Sequence, residues 1–184
     1  MTLSKSLQKI FTELPAPFAQ ADVPDVQITG ISIDSRAVKP GYLFVAMKGG
    51  SVDGHDYILK AIDNGAVAVV GEVGRIAPAS SGIFDNPTCP YVGLEHPRRA
   101  LSWIAASFYD WPGRKLTVIG VTGTDGKTTT TNLIYQILLA ARLKAGIIST
   151  VNAVIGKEEL DTGFHVTTPD AHDVQFYLAK MVEA

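Results

Sequence analysis

Residues 120–130 read Gly-Val-Thr-Gly-Thr-Asp-Gly-Lys-Thr-Thr-Thr and stand between an apolar run at 116–121 (LTVIGV) and a stretch of helical spacing. No other segment restricts the fold as much. The run is short and continuously apolar, which predicts a strand buried on both faces. After the glycines, Leu133, Ile134, Ile137, Leu138 and Ala141 predict one apolar helix face. Strand, glycine-rich turn and helix in that order are the context a phosphate-binding loop requires. Glycines let the backbone curl until successive N–H groups face one anion, and the helix start adds its positive end. The expected cradle is Gly123, Thr124, Asp125, Gly126, Lys127, Thr128 and Thr129. Lys127 would set a cation against the outer phosphates, and Thr128 would offer its hydroxyl to the magnesium ion that shields them.

The glycines fall at 120, 123 and 126, whereas the common loop carries its first glycine where this chain has Val121. The loop is therefore a variant. Its plainer reading is a tight strand-to-helix turn with a solvated Lys127. Asp125 has two open roles: a carboxylate in a phosphate cradle must point away or meet the metal or its water, or it simply stabilises the turn.

Upstream, helical spacing at 3–14 is followed by an alternating strand at 26–33, a turn at 34–36 and an apolar strand at 42–47. A glycine-bearing loop at 49–54, a helix around Tyr57–Ile62 stopped by Asn64-Gly65, and a strand at 66–70 complete a layered α/β pattern. A loop-like stretch at 74–90, a strand at 91–94 and a proline-led helix at 97–109 follow. The expected domains are 1–95 and 96–184, the second continuing with a strand at 146–149, parallel to the one at 116–121, and a helix bearing Val174, Leu178, Met181 and Val182 on one face. Ending inside that helix would leave apolar faces uncovered, so the chain reads as the front of a longer protein.

Composition excludes several classes. Charged residues are 18% and the net charge is −2, which provides no electrostatic footprint for nucleic acid. Cys89 is the single cysteine, so no intrachain disulfide forms, and beside Pro90 it reads as a small buried residue. His55, His96, His165 and His172 lack metal-ligand spacing and read as surface or loop residues. No apolar run is long enough to insert in a membrane, and the N-terminus lacks a signal-peptide core, so a cytoplasmic protein is expected.

With the loop in place, the chain resembles the bacterial Mur ligases of peptidoglycan synthesis. The matching segments are TGISIDSR at 29–36, PGYLFVA at 40–46, DGHDYI at 53–58, GVTGTDGKTTT at 120–130 and TTPD at 167–170. The nearest likeness is to the branch that adds the third residue, diaminopimelate or lysine, to UDP-N-acetylmuramoyl-L-alanyl-D-glutamate. The resemblance implies an α/β fold: an N-terminal UDP-binding domain and the start of a P-loop, Rossmann-like ATPase domain. It implies ATP and Mg2+ as cofactors, with the UDP-N-acetylmuramoyl dipeptide and an amino acid as partners of an intact, monomeric enzyme. ATP would phosphorylate the dipeptide carboxylate, and the incoming amine would attack the acyl phosphate to form the amide. Ile33 and Ser35 match positions contacting the uridine diphosphate, as do Gly50, Ser51 and Val52, where some members carry histidine and glutamine. Thr167 and Thr168 match a pair binding the sugar-peptide end; alone, Thr168-Pro169 also reads as a helix N-cap with proline at the first helical position. The family's downstream glutamate and histidine for magnesium, its carbamylated lysine and its C-terminal domain lie outside these residues, so little or no turnover is expected of this chain alone. Competing readings are the related ligase that adds the D-Ala-D-Ala dipeptide, a folate-polyglutamate or cyanophycin-type synthetase, and a non-catalytic nucleotide-sugar module.

Overall fold

The computed structural model describes residues 3–50, 52–75, 89–150, 152–161 and 169–184. The chain divides into two compact units, Met1–Phe108 and Tyr109–Ala184.

In the first unit, β1 (Lys5–Ser6) pairs antiparallel with β2 (Gln27–Ile28), and α1 (Leu7–Thr12) follows β1 directly. The helix starts later than its apolar spacing suggests because residues 5 and 6 take strand partners and the Ser6 hydroxyl accepts from the Lys9 N–H as an N-cap. The alternating segment at 26–33 splits into β2 and β3 (Gly30–Ser32), with the Thr29 N–H turned to the Gly41 carbonyl.

Strand β3 then pairs with β4 (Tyr42–Val45), β4 with β5 (Ala66–Glu72) and β5 with β6 (Tyr91–Leu94), all parallel and in that order. Helix α2 (Ile58–Asp63) crosses between β4 and β5. Its Ile58 and Ala61 pack with Phe44, Val69, Ala46 and Cys89 in one cluster. Leu43, Val45, Ala68 and Val70, alternating with these along the strands, are equally buried, as parallel strands require. Helix α3 (Pro97–Phe108) packs on β5 and α1 and buries Ala100, Leu101, Ile104, Ala105 and Phe108. That burial places α3 in the first unit, so the division falls after Phe108 and not near residue 95.

A partly buried polar link joins α1 to α3. Lys5 Nζ lies 2.7 Å from Glu13 Oε2 and donates to the Ser107 carbonyl at 2.6 Å, while the Ser107 hydroxyl donates to Glu13 Oε2 at 2.7 Å.

In the second unit, α4 (Lys127–Ala140) precedes an antiparallel sheet of β7 (Ile147–Ile148), β8 (Asn152–Ile155) and β9 (Glu158–Asp161). Helix α5 (Ala171–Glu183) covers that sheet, and Tyr177 packs with Ala153 and Ile155, flanked by Ile148, Leu160 and Met181. Two expectations fail here. Residues 116–121 form no strand, with Val118 and Ile119 58% and 55% exposed, because no described residue supplies a ladder partner. The strand at 146–149 forms only as β7, and its partner is the neighbouring hairpin strand β8, antiparallel. The β8–β9 hairpin, turned through Gly156 at φ 60°, was not apparent in the sequence. On α4, Leu133 and Ile137 are exposed although the spacing of one apolar face is kept. Among the described residues, no helix is long and apolar enough to cross a membrane.

Replacing Lys5 with alanine removes the ammonium from Glu13 and Ser107 and is expected to lower first-unit stability by about 1–3 kcal/mol, read from the urea midpoint.

Candidate functional site

Two candidate sites follow from the motifs, one in each unit. In the second, Gly126 occupies the N-cap position of α4 at φ 75°, ψ −1°. This left-handed conformation is cheap only for glycine, and it turns the loop into the helix axis. The Thr130 N–H already bonds to the Gly126 carbonyl at 2.9 Å, while the amides ahead of it are the first-turn donors that have no acceptor one turn back. Lys127 folds over the loop, its Nζ donating to the Gly123 and Thr124 carbonyls at 2.8 and 3.0 Å. Thr128 Oγ1 lies 3.2 Å from Thr150 Oγ1, so the helix start is joined to the end of the segment after β7. Thr131 Oγ1 donates to the Lys127 carbonyl at 2.7 Å and fixes the first turn. Thr124, Asp125 and Thr129 are exposed around this turn. Thr150 was not singled out in the sequence, where only its hydroxyl beside a strand end could have marked it.

These donors fit a nucleoside triphosphate. For Mg2+ the loop offers the Thr128 hydroxyl, and among the described residues no three His, Cys, Asp or Glu side chains gather as a metal cluster.

The second site lies at the carboxyl edge of the parallel sheet, where open α/β folds bind ligands. Because β3 and β4 are parallel neighbours, the segments leaving them emerge at the same edge. Behind β3 come Ile33, half-buried, and Ser35, buried at the start of a 3-10 turn over Ser35–Ala37. Asp34 caps that turn through the Arg36 N–H, and the Arg36 guanidinium beside it holds the Asp34 carboxyl below its ordinary value. Asn64 Nδ2 donates to the Ser35 carbonyl at 2.8 Å. Behind β4 comes the loop with exposed Gly50 and Val52, closed by the Gly49 N–H to the Val52 carbonyl at 2.8 Å and by a bridge between Lys48 and Asp53. Ser51, Thr167 and Thr168 lie outside the described residues. Helix α5 starts at Ala171 with extended Asp170 at its cap position, two residues beyond the start expected at Pro169.

Two matches decide the family. Residues 27–109 match the Mur ligase family catalytic domain, and residues 121–184 match the Mur ligase middle domain. The chain belongs to the Mur ligase family. It is 42% identical over 180 residues to UDP-N-acetylmuramyl-tripeptide synthetase of Roseiflexus sp. (strain RS-1), covering 97% of this chain and 33% of that protein. Against UDP-N-acetylmuramoyl-L-alanyl-D-glutamate--2,6-diaminopimelate ligase of Cytophaga hutchinsonii, identity is 41%, over 87% of this chain and 31% of the relative. This Mur ligase chain thus spans about a third of the length of the curated relatives it matches. A solved structure, UDP-N-acetylmuramoylalanyl-D-glutamyl-2,6-diaminopimelate--D-alanyl-D-alanyl ligase from Acinetobacter baumannii, shares the fold at TM-score 0.53 and 23% identity, over 87% of this chain and 30% of that one.

Sequence reasoning missed one group at the sheet edge. The His55 side chain, read as a surface or loop residue, is only 7% exposed. It stands beside Asp53, Glu72, Arg75 and Tyr91. Burial would raise the Asp53 carboxyl, but hydrogen bonds from the His55 ring, the His55 N–H and Arg75 outweigh it and hold Asp53 down at about 2. Cys89, by contrast, is buried with its thiol pushed up to about 11 by desolvation, which removes it as a nucleophile.

The depressed Asp53 carboxyl stabilises the fold above its unfolded value of 3.8, and that contribution is lost as pH falls towards about 2. Acid titration followed by circular dichroism should therefore show a transition in that window that Asp53→Asn flattens. Gly126→Ala should cost about 1 kcal/mol through its left-handed backbone and weaken nucleotide binding, both measurable by melting with and without Mg-ATP.

Proposed function

We propose that these residues are the nucleotide-sugar and ATP-binding parts of a ligase that extends the UDP-N-acetylmuramoyl-L-alanyl-D-glutamate precursor by one amino acid, diaminopimelate or lysine. The observation that carries the reading is the pairing of two built sites in one chain: a glycine-capped helix start with Lys127 folded over it, and a parallel-sheet edge carrying Ile33, Ser35, Gly50 and Val52. ATP phosphates lie against Gly123, Thr124, Gly126 and the first-turn amides, with Asp125 and Thr129 flanking them. Once the bound phosphates take up its ammonium, Lys127 leaves its carbonyl partners and neutralises charge that develops during transfer. Thr128 Oγ1 is the oxygen this loop would offer to Mg2+, which would shield the phosphate charge.

The uridine diphosphate lies at the sheet edge against Ile33, Ser35 and residues 50–52, and Thr167 and Thr168 meet the sugar-peptide end. The dipeptide carboxylate takes the γ-phosphoryl group, and the amine of the incoming amino acid displaces phosphate to form the amide. The names of the 37–44% identical relatives, all third-residue ligases, support this choice over the dipeptide-adding enzyme. Exposed Val118, Ile119, Leu133 and Ile137 support a larger ATPase domain in the working enzyme, which is expected to be a cytoplasmic monomer.

Titration of the 184-residue chain with the UDP-sugar dipeptide and separately with Mg-ATP is expected to show binding of both, with little or no turnover. In the enzyme of full family length, Lys127→Ala should cut kcat by about a hundredfold or more. Sugar-nucleotide binding without any ATP binding would favour a non-catalytic module instead, and normal ATP turnover by Lys127→Ala would defeat the proposal.

A further inference from the structure

We infer that His55 is a positioning residue of the nucleotide-sugar site: through Asp53 it ties the loop at residues 49–53 to the carboxyl end of β5. The inference rests on the proposal above that this loop meets the uridine diphosphate. Both ring nitrogens are engaged. His55 Nδ1 lies 2.6 Å from Asp53 Oδ1, which accepts, and His55 Nε2 accepts the Glu72 N–H at 3.0 Å. These two partners fix the neutral ring with its proton on Nδ1. Asp53 Oδ1 also accepts the His55 N–H at 3.1 Å, and Asp53 Oδ2 takes a close ion pair from Arg75, whose Nε stands 3.5 Å from Glu72 Oε2. Tyr91 Oη donates to the Glu72 carbonyl at 2.8 Å, holding the same strand end.

The ring fits only because residue 71 is glycine: a Cβ there would stand 2.9 Å from His55 Nε2 and closer still to Tyr91 Oη. Among the described residues, the loop is also closed by the Gly49 N–H to the Val52 carbonyl at 2.8 Å and the Gly54 N–H to the Met47 carbonyl at 2.9 Å, which flank the Lys48–Asp53 bridge, and the Arg98 guanidinium donates to the Lys48 carbonyl at 3.3 Å. Val52, at its tip, is 55% exposed. Asp53, next to Val52 at the base of the loop, is held by His55 and Arg75, so a change at His55 reaches the loop through Asp53.

The test is calorimetric titration of the chain with the UDP-N-acetylmuramoyl dipeptide and, separately, with Mg-ATP, well below the melting temperature of each variant. His55→Ala should weaken the sugar nucleotide by about tenfold and leave ATP affinity unchanged, since the second unit is untouched. His55→Gln, which can reach the Glu72 amide, should recover part of that loss. Should His55→Ala fail to fold, Arg75→Gln releases Asp53 Oδ2 from an exposed position and should show the same selective weakening. A lower melting temperature with both affinities unchanged would overturn the inference, as would equal loss of both ligands. Wild-type chain that binds Mg-ATP but no sugar nucleotide would instead remove the assignment of the loop itself, and the inference with it.

Discussion

Parallel strands cannot return on themselves through a tight turn, and their two faces both need cover. That constraint organises the first unit. The crossover from β4 to β5 must carry α2, whose Ile58 and Ala61 bury Phe44 and Val69 on one face. Strand β6 must be followed by something that closes the remaining apolar surface, and α3 does so by packing on β5 and α1. Since all four strands run the same way, every segment leaving one emerges at the same edge. The Ser35 turn, the loop at 49–53 and the Glu72–Arg75 segment are neighbours for that reason alone. The shared edge is a consequence of the burial requirement.

The second unit differs in character. Its apolar run at 116–121 has the composition of a strand buried on both faces, yet none of the described residues pairs with it. Composition states what environment a segment needs, and ladder partners decide whether it gets one. The loop that follows is nevertheless well formed. Its geometry depends on Gly126, on the first turn of α4 and on Lys127 bonding back to Gly123 and Thr124, all local interactions. A glycine-capped helix start of this form can therefore exist where the described residues supply no strand ahead of it.

The electrostatic arrangement of the two sites also differs. At the helix start, a cation lies over backbone carbonyls that a phosphate would replace as its partners. At the sheet edge, the charges of Asp53, Arg75 and Glu72 satisfy one another and hold backbone in place. One arrangement is suited to exchanging partners and the other to staying fixed.

The sequence by itself determined the elements whose signals are local: the apolar runs of β4, β5 and β6, the proline-led start of α3, the glycine-rich turn into α4 and the helix at α5. Lys127 and Thr128 could be proposed from the glycine-rich motif that holds them, whereas Ser35 and Val52 were proposed only through the resemblance of their segments to a family. Tertiary structure decided the rest. Whether residues 5–6 were helix or strand depended on partners at 27–28. Assignment of α3 to the first unit depended on which core its apolar face could reach. The buried state of His55 depended on a glycine at 71 and a backbone N–H at 72, residues that only folding brings to it. Periodicity and motif spacing report interactions within a few residues along the chain, whereas burial and pairing are properties of residues that sequence distance does not relate.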